Sequence, residues 1–139
     1  MQKVMFLCTG NSCRSQMAEG FARHYGADLL EVHSAGLTPA GVNENAIQVM
    51  AEIGIDISRQ RSKVIDQELL DEMDIIITLC GHAEALCPRT PPHIKRLHWP
   101  VKDPILTRGS KDKVLADFRR ARDEIMDLVL GFIKELRQG

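Results

Sequence analysis

The chain has 139 residues and a formal net charge of -1, from 18 lysines and arginines and 19 aspartates and glutamates. This length predicts one domain, residues 1–139, with its own hydrophobic core. The balanced charge excludes a general basic field for nucleic acid or an anionic membrane, and no apolar run is long enough to span a bilayer.

Apolar runs typical of strands alternate with helical patterns along the chain. In chain order we predict a strand at residues 4–7, a helix at 15–25, a strand at 29–34, a helix at 43–53, a short helical turn at 65–70, a strand at 74–79, a weaker strand at 96–99 and a helix at 112–136. The unbroken apolar run at 74–79 is typical of a parallel strand covered on both faces. The alternation of strands and helices predicts an α/β fold with a doubly wound sheet.

Two of the predicted helices carry an apolar stripe that would face the core. In the helix at residues 43–53, which Gly54 would end, the stripe consists of Ala46, Ile47, Met50 and Ile53. In the helix at residues 112–136 the stripe consists of Leu115, Phe118, Ile125, Leu128, Val129, Phe132 and Ile133.

The N-terminus has no basic region, long apolar stretch or small-residue cleavage site, so it does not predict a secretory signal. We therefore expect a cytoplasmic protein that binds neither nucleic acid nor a membrane. In that compartment the four cysteines indicate catalytic, redox-active or metal-binding roles rather than structural disulfides.

The segment between the first strand and the first helix is the most informative part of the chain. It reads Cys8-Thr9-Gly10-Asn11-Ser12-Cys13-Arg14-Ser15. Backbone N–H groups and the helix dipole at such a junction favour an anion. The same field favours the thiolate form of a cysteine, which makes it a nucleophile.

The residue types inside this segment suit an oxyanion-binding loop. Gly10 and Asn11 tolerate the left-handed backbone angles that turn amides inward. Arg14 offers a planar fork of donors for two oxygens of an oxyanion, and Ser15 can hydrogen-bond the Cys8 sulfur. The alternative is an ordinary strand-to-helix turn with a buried cysteine, but the strand before and the helix after the segment favour the functional interpretation.

Residues 8–20 resemble the oxyanion loop of thioredoxin-coupled arsenate reductases, a family that shares the fold of the low-molecular-weight protein tyrosine phosphatases. The resemblance covers nearly the whole chain. Its further motifs are Ser34-Ala35-Gly36, Gly41-Val42-Asn43, Gly54-Ile55-Asp56-Ile57-Ser58, Thr78-Leu79-Cys80, Cys87-Pro88, His98-Trp99 and Asp103-Pro104. It implies a single α/β domain with a four-stranded parallel sheet in the order 2-1-3-4, flanked by helices.

With that strand order, Cys8 and Cys80 end neighbouring parallel strands, which lie about 4.8 Å apart. That separation is within reach of a disulfide with modest loop movement. Cys87 is seven residues beyond Cys80, and a helix of that length would span about 10.5 Å. A Cys80–Cys87 disulfide would therefore require unwinding. The alternatives are structural cysteines, or a zinc site with His82, for which the spacing is unusual.

The resemblance implies reduction of arsenate to arsenite in three steps. Cys8 attacks arsenic while Arg14 and the loop amides of residues 9–15 hold the oxygens, and Asp103 acts as the general acid. Cys80 then forms a disulfide with Cys8, and Cys87 moves that disulfide outward as Cys80–Cys87. Thioredoxin, or alternatively glutaredoxin, would reduce it.

The remaining expectations concern residues and partners outside this relay. We interpret Cys13 as mainly structural. We expect no cofactor and no resident metal, since the sequence contains no flavin or nicotinamide site. We also expect a monomer.

Two other functions compete with this interpretation. A low-molecular-weight phosphatase would use Cys8, Arg14 and Asp103, with water resolving the phosphocysteine, and a weak phosphatase side activity is expected in any case. Such phosphatases typically carry tyrosine after the Asp-Pro pair, whereas Ile105 and Leu106 follow it here. The other competitor is a non-catalytic oxyanion-binding redox sensor.

Part of the arsenate reductase family binds potassium behind the oxyanion loop through asparagine, glutamate, serine and aspartate. By resemblance, Asn11, Glu19 and Ser34 hold three of these positions, and the fourth falls on Lys63. An ammonium group repels a cation, and it could pair with Glu19 or point into solvent. We predict that the protein does not depend on potassium.

Overall fold

A computed structural model describes residues 1–139 of the protein. Its strands are β1 (Gln2–Cys8), β2 (Leu30–Gly36), β3 (Ile75–Thr78) and β4 (Lys95–His98). Its α-helices are α1 (Arg14–Gly26), α2 (Glu44–Ala51), α3 (Gln67–Asp71), α4 (Gly81–Leu86) and α5 (Lys111–Gln138), and a 3-10 helix spans Pro104–Leu106.

The four strands form one parallel sheet in the order β2-β1-β3-β4, which confirms the predicted fold. β1 and β3 occupy the centre, and every residue of β3 is buried, as its unbroken apolar run requires. The outer strand β4 is largely exposed. Because the strands are parallel, the C-terminal ends of β1, β2 and β3 meet at one edge of the sheet.

The helices pack around the sheet, and the predicted stripe residues of α2 and α5 lie in or beside the core except for Ile53. α1 packs against β1, β2 and α5, while α4 packs against the two central strands. Phe21 of α1 and Phe118 of α5 are both buried in the core. No helix combines the length and the apolar character that crossing a membrane requires.

Helix α2 differs from its prediction. It ends at Ala51 instead of residue 53, and the chain then turns into Gly54, which has a φ of +82°. Ile53 has therefore left the helix and is 40% exposed, whereas Val49 is fully buried on the face that meets the core. In α5, Leu128 lies at the margin of its stripe and is only half-buried.

The end of β2 lies unusually close to the loop between β1 and α1. Gly36 pairs with Cys8 in the sheet, and its N–H donates to the Lys63 carbonyl. A Cβ added at Gly36 would lie 2.7 Å from the backbone nitrogen of Asn11 and 2.8 Å from the Thr9 carbonyl oxygen. Only glycine allows this approach, which sets the position of the loop against the sheet.

We predict that Gly36→Ala destabilises the protein by about 1–3 kcal/mol, because backbone atoms must move to admit the methyl group. Urea unfolding measures the change. Gly131→Ala is the control, since an added Cβ in α5 meets no atom within 4 Å, and helix propensity predicts a stabilisation of about 0.5–1 kcal/mol. An unchanged midpoint for Gly36→Ala would contradict the steric argument.

Candidate active site

The backbone of residues 8–15 forms a loop whose amides point inward. The carbonyls of Thr9, Gly10 and Ser12 each accept a hydrogen bond of 2.9 Å from backbone N–H groups in the segment 38–43. In a trans peptide the N–H points opposite to the carbonyl, so the N–H groups that follow these carbonyls face the inside of the loop. Asn11 has a φ of +46°, which produces the turn. The loop thus presents a concentration of donors at the start of α1, as the sequence predicts.

Arg14 is the first residue of α1, and its guanidinium is almost fully buried. Nη1 donates to the Val101 carbonyl at 2.9 Å, and Nη2 lies 3.2 Å from Asp103 Oδ2. Nε is the one buried side-chain polar atom in the protein without a hydrogen-bond partner. An unpaired buried donor costs about 1–3 kcal/mol, and an oxyanion oxygen would supply the missing acceptor.

Cys8 lies at the C-terminal end of β1, and its sulfur is 2.9 Å from the Ser15 hydroxyl oxygen. The same hydroxyl oxygen accepts a hydrogen bond from Asn11 Nδ2 at 2.8 Å. The Ser15 hydrogen is therefore free to point at the Cys8 sulfur. This hydrogen bond favours the thiolate, which is the nucleophilic form.

The buried side chains of Asn11, Glu19 and Ser34 form a polar cluster behind the loop, and the exposed side chain of Lys63 lies at its edge. Asn11 Nδ2 donates to Ser34 Oγ at 2.9 Å, and Ser34 in turn donates to Glu19. Asn11 Oδ1 accepts from the backbone N–H of Lys63 at 2.8 Å. The Lys63 ammonium lies 3.9 Å from Glu19 Oε1, while Arg23 donates to Oε2 of the same carboxylate at 3.0 Å.

Two cations thus face the buried carboxylate of Glu19. Partial burial lowers the pKa of Lys63, and the charge of Glu19 opposes that shift. The Lys63 ammonium also donates to the Arg61 carbonyl, and its side chain is 44% exposed. Lys63 therefore combines the two predicted orientations: it lies at ion-pair distance from Glu19 and also reaches solvent.

Asp103 precedes the 3-10 helix and caps it through a hydrogen bond from the Ile105 N–H to Oδ1. Its other oxygen faces Arg14 at 3.2 Å, and its side chain is partly exposed. The carboxyl group therefore lies at the mouth of the oxyanion loop. An anion bound to Arg14 would therefore lie beside this carboxyl group.

Cys13 lies inside the loop, with its thiol directed at Asp103 Oδ1 at 3.7 Å. Burial, the charge of Asp103 and the charge of Cys8 raise the pKa of Cys13 to about 12. The group therefore stays a neutral thiol at physiological pH, which suits the structural role inferred from the sequence.

Cys80 lies two residues beyond β3, beside the oxyanion loop. β1 and β3 pair up to Leu7 and Thr78, so Cys80 extends just past the level of Cys8. Its sulfur is 3.2 Å from the Thr9 hydroxyl oxygen and accepts from the Ala83 N–H at 3.3 Å. Cys80 is thus the N-cap residue of α4, and the contact with Thr9 holds its sulfur beside the oxyanion loop.

Cys87 lies at the other end of α4, half-buried. The residues between Cys80 and Cys87 are helical, so about 10.5 Å of helix separates the two cysteines. Burial raises the pKa of Cys87, Arg96 lowers it, and Glu84 raises it. All four cysteines are free thiols.

The zinc interpretation has no support in the described residues. No group of three or more His, Cys, Asp or Glu side chains is placed to hold a metal ion, and the two cysteines lie at opposite ends of a helix.

Several contacts that position the site come from carbonyl groups and loop segments that carry no sequence signal. The carbonyl groups of Val101 and Leu79 anchor Arg14, and residues 38–43 orient the loop carbonyls. The contact between Thr9 and Cys80 was likewise not predicted, although Thr9 is in the predicted loop.

Comparison with known proteins places this geometry in a family. Residues 3–139 match the family described as "Low molecular weight phosphotyrosine protein phosphatase". The chain is 52% identical to "Arsenate reductase" of Bacillus subtilis (strain 168) over 122 residues, which cover 88% of each protein.

Two solved structures are also similar. "An arsenate reductase in the phosphate binding state" has a TM-score of 0.79 at 39% identity, covering 97% of this chain and 98% of the other. The thioredoxin-dependent arsenate reductase of Corynebacterium glutamicum has a TM-score of 0.68 at 25% identity, covering 94% of this chain and 62% of the other. The oxyanion loop, the sheet order and these matches agree: the chain belongs to the low-molecular-weight phosphotyrosine protein phosphatase family.

Proposed function

We propose that this protein reduces arsenate to arsenite, with Cys8 as the nucleophile, Cys80 and Cys87 as resolving thiols, and thioredoxin as the electron donor. The observation that carries the proposal is the placement of two further cysteines at the two ends of α4, with the first beside the oxyanion loop. Phosphate hydrolysis requires neither of them. The arsenate reductases among the relatives support the same assignment.

The first step joins arsenate to Cys8. The loop amides and the free Nε of Arg14 hold the oxygens, and the Cys8 thiolate attacks the arsenic atom. Asp103 delivers a proton to the departing oxygen, which leaves as water. The product is a Cys8 thiol ester of arsenate, in which arsenic is still pentavalent.

The second step reduces arsenic. The Cys80 thiolate attacks the Cys8 sulfur, the sulfur–arsenic bond breaks, and its electron pair stays on arsenic, which leaves as arsenite. A Cys8–Cys80 disulfide remains. The Ala83 N–H donates to the Cys80 sulfur at the start of α4, and the contact with Thr9 holds that sulfur beside the loop.

The third step frees Cys8. The Cys87 thiolate attacks the Cys80 sulfur, the Cys8 thiolate leaves, and the disulfide becomes Cys80–Cys87. Because the helix holds these two residues apart, α4 must unwind first. Reduced thioredoxin then returns both cysteines to thiols and is itself oxidised, so two electrons enter for each arsenate reduced.

The donor and the setting follow from this chemistry. Thiols that cycle in this way must be kept reduced between turnovers, which is the condition of the cytoplasm. We propose thioredoxin over glutaredoxin because the thioredoxin-dependent relative has the same fold. A monomeric state stays a prediction.

We also expect a weak phosphatase activity, since phosphate and arsenate are similar in shape and charge. Ile105 and Leu106 are exposed after Asp103-Pro104, and they lack the aromatic rings that would stack on an aryl phosphate. An oxyanion-binding redox sensor would show neither activity, so turnover excludes it.

Substitution of single cysteines tests the relay. We expect Cys8→Ser to lower arsenate reduction and aryl-phosphate hydrolysis by more than about 1,000-fold, because both need the nucleophile. Cys80→Ser and Cys87→Ser are expected to stop multiple turnovers of arsenate, measured as NADPH consumption with thioredoxin and its reductase, but to retain phosphatase activity. Wild-type turnover by Cys87→Ser would exclude the three-cysteine relay.

The proposed unwinding of α4 predicts a change in hydrogen exchange. We expect residues 81–90 to exchange faster in the oxidised protein than in the reduced protein, because the Cys80–Cys87 bond is incompatible with the helix. Helix α5 serves as the internal reference. Equal or slower exchange of residues 81–90 after oxidation would contradict the unwinding step.

The polar cluster behind the loop does not fit a potassium ion, because the Lys63 ammonium lies 3.9 Å from Glu19, the acidic ligand that the ion would need. We expect the same KM for arsenate in potassium chloride and in tetramethylammonium chloride at equal ionic strength. Lys63→Asp supplies the missing oxygen ligand and is the variant expected to respond. A saturable fall in the wild-type KM with potassium alone would contradict this assignment.

A further inference from the structure

Thr78, the last residue of β3, connects α4 to the sheet through its buried hydroxyl group. The hydroxyl oxygen lies 2.7 Å from Glu84 Oε2 in α4 and 2.8 Å from His98 Nδ1 in β4. We refer to Thr78, Glu84 and His98 as the Thr78 cluster. It joins three elements at the point where the helix between the two resolving cysteines meets the sheet.

The directions of these hydrogen bonds follow from the groups involved. A carboxylate can only accept, so the Thr78 hydroxyl donates its single hydrogen to Glu84. The hydroxyl oxygen is then an acceptor for His98, which donates from Nδ1. The chain of donors therefore runs from β4 through β3 to α4 and ends on a charged acceptor, which makes the last bond stronger than a neutral one.

Helix α4 has few other reasons to stay folded. It has only six residues, and isolated helices of that length are marginal in water. Ala83 is its one buried residue, and Leu86 is 56% exposed. Besides the N-cap bond from the Ala83 N–H to Cys80, the bond from Thr78 to Glu84 is the one side-chain hydrogen bond that this helix makes.

We propose that Glu84 is a positioning residue that holds α4 in its helical form through Thr78 and His98, and thereby controls when Cys87 can reach Cys80. This inference rests on the proposed cysteine relay. When the helix unwinds, the bond between Glu84 and Thr78 breaks, so the reduced state is stabilised relative to the Cys80–Cys87 disulfide.

The charge of Glu84 acts in the same direction as its hydrogen bond. While α4 is folded, burial raises the pKa of Cys87 most, Arg96 lowers it, and Glu84 adds a smaller increase. Unwinding exposes Cys87 and carries Glu84 away from its place. Cys87 therefore does not react until α4 unwinds.

The exchange equilibrium of full-length Cys8→Ser protein with oxidised glutathione tests this role. Two thiols, Cys80 and Cys87, react with one oxidised glutathione to give the Cys80–Cys87 disulfide and two reduced glutathiones. In this background we expect Thr78→Val to raise the equilibrium constant about five- to tenfold, since the lost hydrogen bond exists only in the reduced state. Thr78→Ser retains the hydroxyl and is expected to remain near the parent value.

Two alanine substitutions in α4, Glu84→Ala and His82→Ala, separate the effect of the hydrogen bond from that of helix propensity. Glu84→Ala removes the acceptor but introduces the best helix-forming residue, so a higher constant would come from the lost bond and not from helix propensity. His82→Ala changes an exposed residue of the same helix that makes no side-chain hydrogen bond. We expect the first variant to raise the constant about five- to tenfold and the second to leave it unchanged or slightly lower.

Hydrogen exchange of the reduced variants gives a second readout that needs no disulfide. We expect the amides of residues 83–87 to exchange about five- to tenfold faster in Thr78→Val and Glu84→Ala than in the parent or in His82→Ala. Parent-like equilibrium and exchange in both variants would overturn the role of Glu84. If the parent forms no Cys80–Cys87 disulfide at all, the relay itself fails, and the exchange rates alone then decide whether the cluster holds the helix.

Discussion

The buried amide of Asn11 connects the nucleophile to the rest of the protein. Its nitrogen donates to Ser15 and Ser34, and its oxygen accepts from the backbone of Lys63. Because Ser15 receives a hydrogen bond from Asn11, its own hydrogen is directed at the Cys8 sulfur. The left-handed backbone of the same residue turns the loop amides inward. One residue therefore sets both the geometry of the oxyanion loop, through its backbone, and the direction of the hydrogen bond to the Cys8 sulfur, through its side chain.

The second constraint is the distance that α4 imposes between Cys80 and Cys87. A short helix holds Cys80 at its N-terminus, beside the oxyanion loop, and Cys87 at its C-terminus, where burial raises the pKa of the thiol. The order of the proposed steps follows from this asymmetry. Cys80 is ready to attack as soon as Cys8 carries arsenic, and Cys87 becomes available only when the helix opens.

The same loop serves two chemistries within this family. Oxyanion binding and nucleophilic attack need only Cys8, Arg14 and Asp103, and these groups would serve phosphate as well as arsenate. Arsenic differs because it accepts an electron pair when its bond to sulfur breaks. A protein with this loop therefore becomes a reductase when thiols at the end of a neighbouring strand can attack the sulfur.

The sequence by itself determined the elements and the loop. Unbroken apolar runs identified the central strands, and the residue types between Cys8 and Ser15 identified an oxyanion loop, because these signals are local. The strand order and the relay came from resemblance. The predicted end of α2 is wrong: the apolar pattern continues to residue 53, just before Gly54, but the helix ends at Ala51.

Only the tertiary structure decided which distant groups meet. The anchoring of Arg14 by the Val101 carbonyl, the approach of Gly36 to the loop and the bond between Thr78 and Glu84 join segments that lie far apart in the chain or on different elements. Carbonyl groups are present at every residue and carry no sequence signal. Threonine at the end of a strand is equally ordinary until the fold brings a helix and a second strand to its hydroxyl group.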